Sequence, residues 1–248
     1  MWWPDLRVSA RHQAAADAKL PEAISAVAHL CRAEARFVPL VRARGLERPR
    51  LTRDPFVALV GSVVQQQVSV AAAAAIYGRL RAACSNSRVT PNHLLALTPA
   101  RMRRAGLSRQ KTIYVRELAR YFQRERLTAA RLHRLSDDQI VERLTSIHGI
   151  GRWTVEMLLM FSLDRPDVWP VGDLGLRNGL KKLFEWTQPR TPRMLESFAD
   201  AWRPYRSYAT WYIWRSLEGG AMPSIRLAVD ACELERAIQG SPAAPTLN

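Results

Sequence analysis

The sequence predicts an all-α protein, and three observations carry that prediction. Apolar residues recur at helical spacing, helix start signals recur along the chain, and alternating strand patterns bounded by Asn-Gly or Asp-Gly turns are missing. With 248 residues, 48% of them hydrophobic, the chain is long enough to bury a core in one or two domains.

The elements follow in chain order. Residues 1–20 are polar and weakly patterned and read as a loose arm, and 21–45 read as an Ala-rich helix. Asp54 before Pro55 opens a helix with Phe56, Leu59, Val60, Val63 and Val64 on one face, and Thr90-Pro91 and Thr98-Pro99 open two more. In each pair the capping oxygen accepts from a free backbone N–H, and proline in the first turn gives up no helical hydrogen bond. Ser136 with Gln139 three residues on is a capping box, and its helix runs to Ile147. Gly149-Ile150-Gly151 turns the chain, and an apolar helix starts at once. Asp173 caps a helix running towards Phe184, Thr191-Pro192 opens another, and Tyr205, Tyr208, Ala209 and Tyr212 share the face of a last one. Trp202 and Trp211 read as core, and the tail after Ser241 as frayed. There is no repeat, and the boundaries read as an N-terminal arm and helix over 1–50, a core over 51–218, and a C-terminal helix and tail over 219–248.

Charge points to the partner. The formal net charge is +15, which favours a polyanion, nucleic acid ahead of an acidic membrane. From Arg101 to Arg134 there are eleven Lys/Arg against two acids, Glu117 and Glu125, either a solvated surface or a phosphate-facing one. Three dispersed cysteines, Cys31, Cys84 and Cys232, argue against a disulfide framework, a zinc ribbon and an iron–sulfur cluster. They fit a reducing compartment, the cytoplasm or, in a eukaryote, the nucleus. No apolar run reaches the ~18 residues of a membrane span, and the N-terminus does not read as a secretory signal.

Two stretches carry chemistry. In Ile147-His148-Gly149-Ile150-Gly151-Arg152-Trp153-Thr154, the glycines permit a tight turn and a close backbone approach. The following helix start offers N–H groups and a positive dipole end to phosphate. Read alone, the two glycines favour an ordinary helix–turn–helix corner. In Trp169-Pro170-Val171-Gly172-Asp173, one carboxylate sits in a Gly-rich loop opening a helix, as a cap, or as a group facing developing positive charge.

Together these motifs resemble the helix-hairpin-helix (HhH-GPD) DNA glycosylase superfamily, and within it the DNA-3-methyladenine glycosylase II branch, over roughly residues 50–218. Two more blocks are similar to the branch: Asp54-Pro55-Phe56 to Gln65-Gln66-Gln67-Val68-Ser69, and Trp202-Arg203-Pro204-Tyr205 to Ile213-Trp214-Arg215, with weaker support from Gly106-Leu107-Ser108 and Lys111. The resemblance implies two packed helical subdomains with the active site in the cleft between them. It implies a monomer acting on double-stranded DNA that carries damaged bases, with no membrane partner. Asp173 matches the essential aspartate, which stabilises oxocarbenium character at C1′ as the base departs. Gln67 matches the wedge that fills the space left by the flipped base, with Gln66 and Ser69 beside it at the strand gap. Trp153 and Trp214 match pocket tryptophans, whose ring faces attract a cationic alkylated purine by ~0.5–2 kcal/mol per contact. Tyr212 reads as pocket or core, and Met157 stands where some relatives carry a pocket tyrosine. His148, Gly149, Ile150, Gly151, Arg152 and Thr154 fall in the phosphate-binding hairpin, with His148 where many relatives have proline, and the resemblance adds Lys111 as a DNA contact. The backbone carbonyls of Ile147 and Gly149 match positions that hold a sodium or potassium ion; no other cofactor is implied. Bifunctional relatives place a lysine two residues past the second hairpin glycine. Here that position is Trp153, which implies water as the nucleophile.

The resulting expectation is a monofunctional glycosylase that starts base-excision repair of alkylated purines of the 3-methyladenine and 7-methylguanine type. The alternatives are a relative for oxidised or deaminated bases, and a non-catalytic DNA-binding module, which has no need of Asp173. A helix-turn-helix regulator fits poorly, because the helix after Gly151 is apolar rather than basic.

Overall fold

A computed structural model of the chain describes residues 18–49, 52, 54–217, 224–227 and 229–239. The tail after Ser241 and the arm up to residue 17 lie outside the described residues. The chain opens with α1 (Leu20–Ala33), α2 (Phe37–Arg44) and the short strand β1 (Glu47–Pro49). Eight helices follow: α3 (Pro55–Gln65), α4 (Val70–Ala83), α5 (Pro91–Ala96), α6 (Pro99–Arg104), α7 (Arg109–Arg124), α8 (Ala129–His133), α9 (Asp137–Thr145) and α10 (Arg152–Phe161). Then come α11 (Leu174–Leu183), α12 (Pro192–Phe198), α13 (Arg206–Ser216), strand β2 (Ser224–Arg226) and α14 (Ala231–Gln239). The all-α expectation holds but for the β1–β2 ribbon, an antiparallel pair with Arg48 opposite Ile225. Three-residue strands are too short to show alternation. The helix expected over 21–45 is two helices, broken at Glu34, whose backbone is extended (φ −153°, ψ 111°) and whose Oε1 accepts from Arg36 N–H at 3.0 Å.

The residues divide into two compact units, one drawn from 51–164, the other joining the segment before residue 50 to that after 165. The boundary read at 50 is also one between the units, whereas the second cut falls after 164 rather than at 218. The reason is burial: α1 hides Ala23, Ala26, Val27 and Leu30 in the second unit's core and packs against α13 and α14.

In the 51–164 unit, α3 is buried nearly all round and contacts α4, α7 and α10. Helix α7 buries Val115, Leu118, Ala119 and Phe122 and turns Arg109, Arg120 and Arg124 outwards. The basic run thus spreads over α6, α7 and α8. Part of it is structural: Arg116 donates to Leu97 O at 2.7 Å, and Arg131 donates to Glu125 O at 2.8 Å.

In the other unit, α13 is the central helix, with every residue from Arg206 to Trp214 buried. Trp202 and Trp211 are core, 2% and 1% exposed, as expected. Helix α11 lies against α13 at Gly179, where a Cβ would meet Ile213 Cγ2 at 2.5 Å and Ile213 O at 2.9 Å. The other side of α13 is tied to the α2–β1 segment. Tyr212 Oη donates to Gly45 O at 2.8 Å, Arg44 donates to Arg215 O at 2.9 Å, and Arg215 pairs with buried Glu47 at 3.1 Å.

Candidate active site

Helix α9 starts with the expected capping box at Ser136 and Gln139. The chain then turns through Ile147–Ile150, closed by Ile150 N–H donating to Ile147 O at 3.0 Å, with Gly149 at φ +86°. Positive φ at the third residue alone is the type II pattern, in which proline is common at the second position, here His148. The His148 ring stacks on Tyr114 of α7, centroids 5.5 Å apart, and a Cβ on Gly149 would run into the same Tyr114 ring. Gly149 is thus required twice, for its φ and for this approach. Ile150, 3% exposed, plugs the turn into the core. Helix α10 then opens at Gly151 with no side-chain cap. The seven preceding helices of this unit are capped, by Asp54, Ser69, Thr90, Thr98, Ser108, Thr128 and Ser136. Arg152, exposed, pairs with buried Glu156 at 3.0 Å, and Trp153 is 39% exposed.

The glutamine segment forms a second turn of the same kind. Gln66 (φ −50°, ψ 126°) is followed by Gln67 at φ +56°, and Val68 N–H donates to Gln65 O at 3.3 Å. Gln67 occupies the position where this turn favours glycine, and it is exposed, beside Val68 and Val70, 37% and 50% exposed. Gln66 turns the other way: its Nε2 donates to Gly149 O at 2.9 Å, joining the two turns. Ser69 caps α4 by accepting from Ala72 N–H at 3.2 Å.

Asp173 belongs to the second unit, where hydrogen bonds build its loop. Ser207 Oγ donates to Arg165 O at 2.7 Å and accepts from Val168 N–H at 2.8 Å, while Trp169 Nε1 donates to Leu195 O at 3.0 Å. Asp173 N–H donates to Pro170 O at 2.8 Å. The carboxylate is 8% exposed, and its Oδ1 accepts from Leu176 N–H at 2.6 Å and from the Trp214 indole N–H at 2.8 Å. The N-cap role is therefore real, but a second donor holds the same oxygen. Gly175 lies over the pair: a Cβ there would stand 3.1 Å from Asp173 Oδ1 and 3.2 Å from Trp214 Nε1.

A sequence profile described as HhH-GPD superfamily base excision DNA repair protein matches residues 60–204, more than half of the chain. The chain belongs to the HhH-GPD superfamily. It is 34% identical to DNA-3-methyladenine glycosylase 1 of Schizosaccharomyces pombe over 193 residues, covering 76% of this chain and 85% of that protein. Two solved structures are similar to this superfamily member. A 3-methyladenine DNA glycosylase of S. pombe in complex with abasic DNA has TM-score 0.69 at 34% identity, over 78% of this chain and 97% of that one. A DNA-3-methyladenine glycosidase from Bacillus halodurans has TM-score 0.71 at 33% identity, over 79% and 90%.

For this HhH-GPD chain, several expected contact residues have other positions. Tyr212 is core, 1% exposed, and burial pushes its phenol well above the ordinary value. Met157 and Thr154, 1% and 5% exposed, face the interior, because α10 buries every side chain from Thr154 to Phe161. Lys111 donates to Val64 O at 2.7 Å, tying α7 to the end of α3, and desolvation lowers its pKa. Trp214, 6% exposed, gives its indole N–H to Asp173. The two carbonyls matched to a monovalent cation accept hydrogen bonds from Ile150 N–H and from the Gln66 amide. Sequence reasoning missed Tyr114, Gln110, whose amide donates to Tyr114 Oη, and Gly175. Of these, only Gly175 had a signal, as the glycine two residues after Asp173 in a Gly-rich loop.

Proposed function

We propose that this chain hydrolyses the N-glycosidic bond of alkylated purines in DNA by a monofunctional route, with Asp173 as the catalytic carboxylate. The reading rests on one observation: Asp173 Oδ1 is held by both a helix N–H and an indole N–H. Two donors on one oxygen fix the orientation of the group. A carboxylate fixed in this way stabilises positive charge that develops at C1′ and costs no reorganisation when it does. The C1′–N bond breaks with its electron pair going to the base. Water adds its oxygen to C1′, and its proton leaves to solvent or to the base, giving free base and an abasic site. An alkylated purine is already cationic, so it departs without a strong general acid.

DNA is held, in this reading, at the uncapped start of α10, where backbone N–H groups and the helix dipole meet a phosphate. Trp153 offers an exposed ring face to a cationic base, and Gln67 fills the space the base leaves. Catalysis needs no redox cofactor. The relatives' names, DNA-3-methyladenine glycosylase and glycosidase, support the choice of substrate.

Asp173→Asn is the direct test. The amide can still accept the Leu176 and Trp214 bonds, so the melting temperature and DNA affinity should hold. Single-turnover base release from duplexes with 3-methyladenine or 7-methylguanine should fall by about 10²–10³-fold or more. Parallel loss of stability would make Asp173 a structural cap only. Borohydride added during turnover should trap no protein–DNA adduct, because the Trp153 indole cannot form a Schiff base.

A further inference from the structure

The second unit carries a cationic groove that the reaction just described does not use. A hollow of about 320 Å³ is lined by Arg177, Asn178 and Lys181 of α11 and by Trp186, Gln188 and Arg190 of the segment that follows. Its volume is at the low end for sites that hold small molecules, about 300–1,000 Å³. A second hollow, about 510 Å³, shares Trp186 and Arg190 with it. No carboxylate lines either one. Among the described residues, the Arg177, Lys181 and Arg190 side chains have no ion-pair partner, whereas Arg42, Arg203, Arg206 and Arg215 of the same unit are each paired with an acid.

Arg190 is held in place beforehand. Its guanidinium lies over the Trp186 ring, 5.0 Å from the centroid, and Trp186 is itself packed against Phe184 and Phe198. A stacked guanidinium still presents its N–H fork at the edge, the geometry that suits phosphate oxygens. Asn178 and Gln188 add neutral donors. Arg177 and Lys181 stand four and eight residues past Asp173, roughly 6 and 12 Å along the helix. At about 3.4 Å of duplex axis per phosphate of one strand, that range covers roughly two to four nucleotides.

We propose that this groove binds the phosphodiester backbone of a DNA strand flanking the damaged nucleotide. Arg177, Lys181 and the Trp186-stacked Arg190 meet successive phosphates, which makes the groove a second, sequence-independent DNA contact. The assignment rests on reading Asp173 as the place where that nucleotide reacts.

The test measures binding of undamaged duplex across a salt series. Lys181→Ala and Arg190→Ala should each lower the slope of log K against log[salt] by about 1, and the triple variant with Arg177→Ala by about 3. Lys182→Ala, on the same helix but outside the lining, should leave the slope unchanged. Trimming the duplex from one side of an abasic site should weaken wild-type binding and leave the triple variant unaffected. Wild-type slopes in the groove variants, or an equal change with Lys182→Ala, would overturn the groove. So would polyglutamate displacing DNA from the wild type but not from the triple variant, which would mark an acidic-peptide site. A groove-dependent slope in a protein that releases no alkylated base would overturn the reading of Asp173 and leave the groove standing. Normal base release with a groove-independent slope would do the reverse.

Discussion

The 51–164 unit contains the same turn twice, with different residues at its demanding position. At Ile147–Ile150 the left-handed residue is Gly149; at Gln65–Val68 it is Gln67. Glycine adopts this conformation without strain, whereas a glutamine held there costs energy of order 1 kcal/mol. The difference marks what each turn offers outwards. The hairpin presents backbone, so a side chain at Gly149 would only obstruct, and Tyr114 already fills the space a Cβ would take. The glutamine turn presents a side chain, so the strain stays and the amide remains at the tip. The Gln66 bond to Gly149 O fixes one turn relative to the other, so that backbone and amide are presented as one surface.

Substituting Gly149 should break this arrangement most severely. Gly149→Ala combines left-handed strain of about 1–2 kcal/mol with a collision against Tyr114. We expect a lower melting temperature and, if the hairpin meets phosphate rather than bases as proposed, weaker binding of damaged and undamaged duplex alike. Adding Tyr114→Ala should restore part of the loss; no restoration would show that the ring is not the obstacle. The glutamine turn should respond in the opposite sense. Gln67→Gly removes the strain, so the melting temperature should stay level or rise, while excision slows more from paired lesions than from single strands. A destabilised Gln67→Gly variant with normal excision would show that the turn is strained for another reason. Gln66→Ala should have the smallest effect, about 0.5–1.5 kcal/mol for one hydrogen bond. Thermal melting reads that cost, and an unchanged midpoint would mean the two turns are held apart from each other's influence.

What the sequence reveals here is local. Capping pairs such as Asp54-Pro55 and Thr98-Pro99 lie next to one another in the chain, and all four proline-marked starts are capped in the structure. The turn at Gly149 and the cap at Asp173 were legible for the same reason. The neighbours of those sites were not. Tyr114 reaches the hairpin from 35 residues away, and the indole on Asp173 comes from position 214, 41 residues on. Lys111 read as a DNA contact, and nothing in its own helix announces that Val64 O lies within reach of its amine. Tyr212 shared a plausible aromatic face, but α13 is buried on every side, which periodicity alone cannot reveal. The extended backbone at Glu34 interrupts an Ala-rich segment whose composition would suit a continuous helix.

The order in which the chain is made gives the discontinuous unit a further meaning. Residues 54–163 are contiguous, and the hairpin and the glutamine turn both lie within them. The other unit requires α1 to meet α14, helices that begin more than 200 residues apart in the chain. Contacts so distant in sequence form late, since loop closure must precede them, and during synthesis they wait for α14 to leave the ribosome. A nascent chain thus contains the surface assigned to phosphate binding well before the scaffold around Asp173 is complete. Until translation has reached α14, such a chain has its hairpin and its glutamine turn but no finished frame for Asp173.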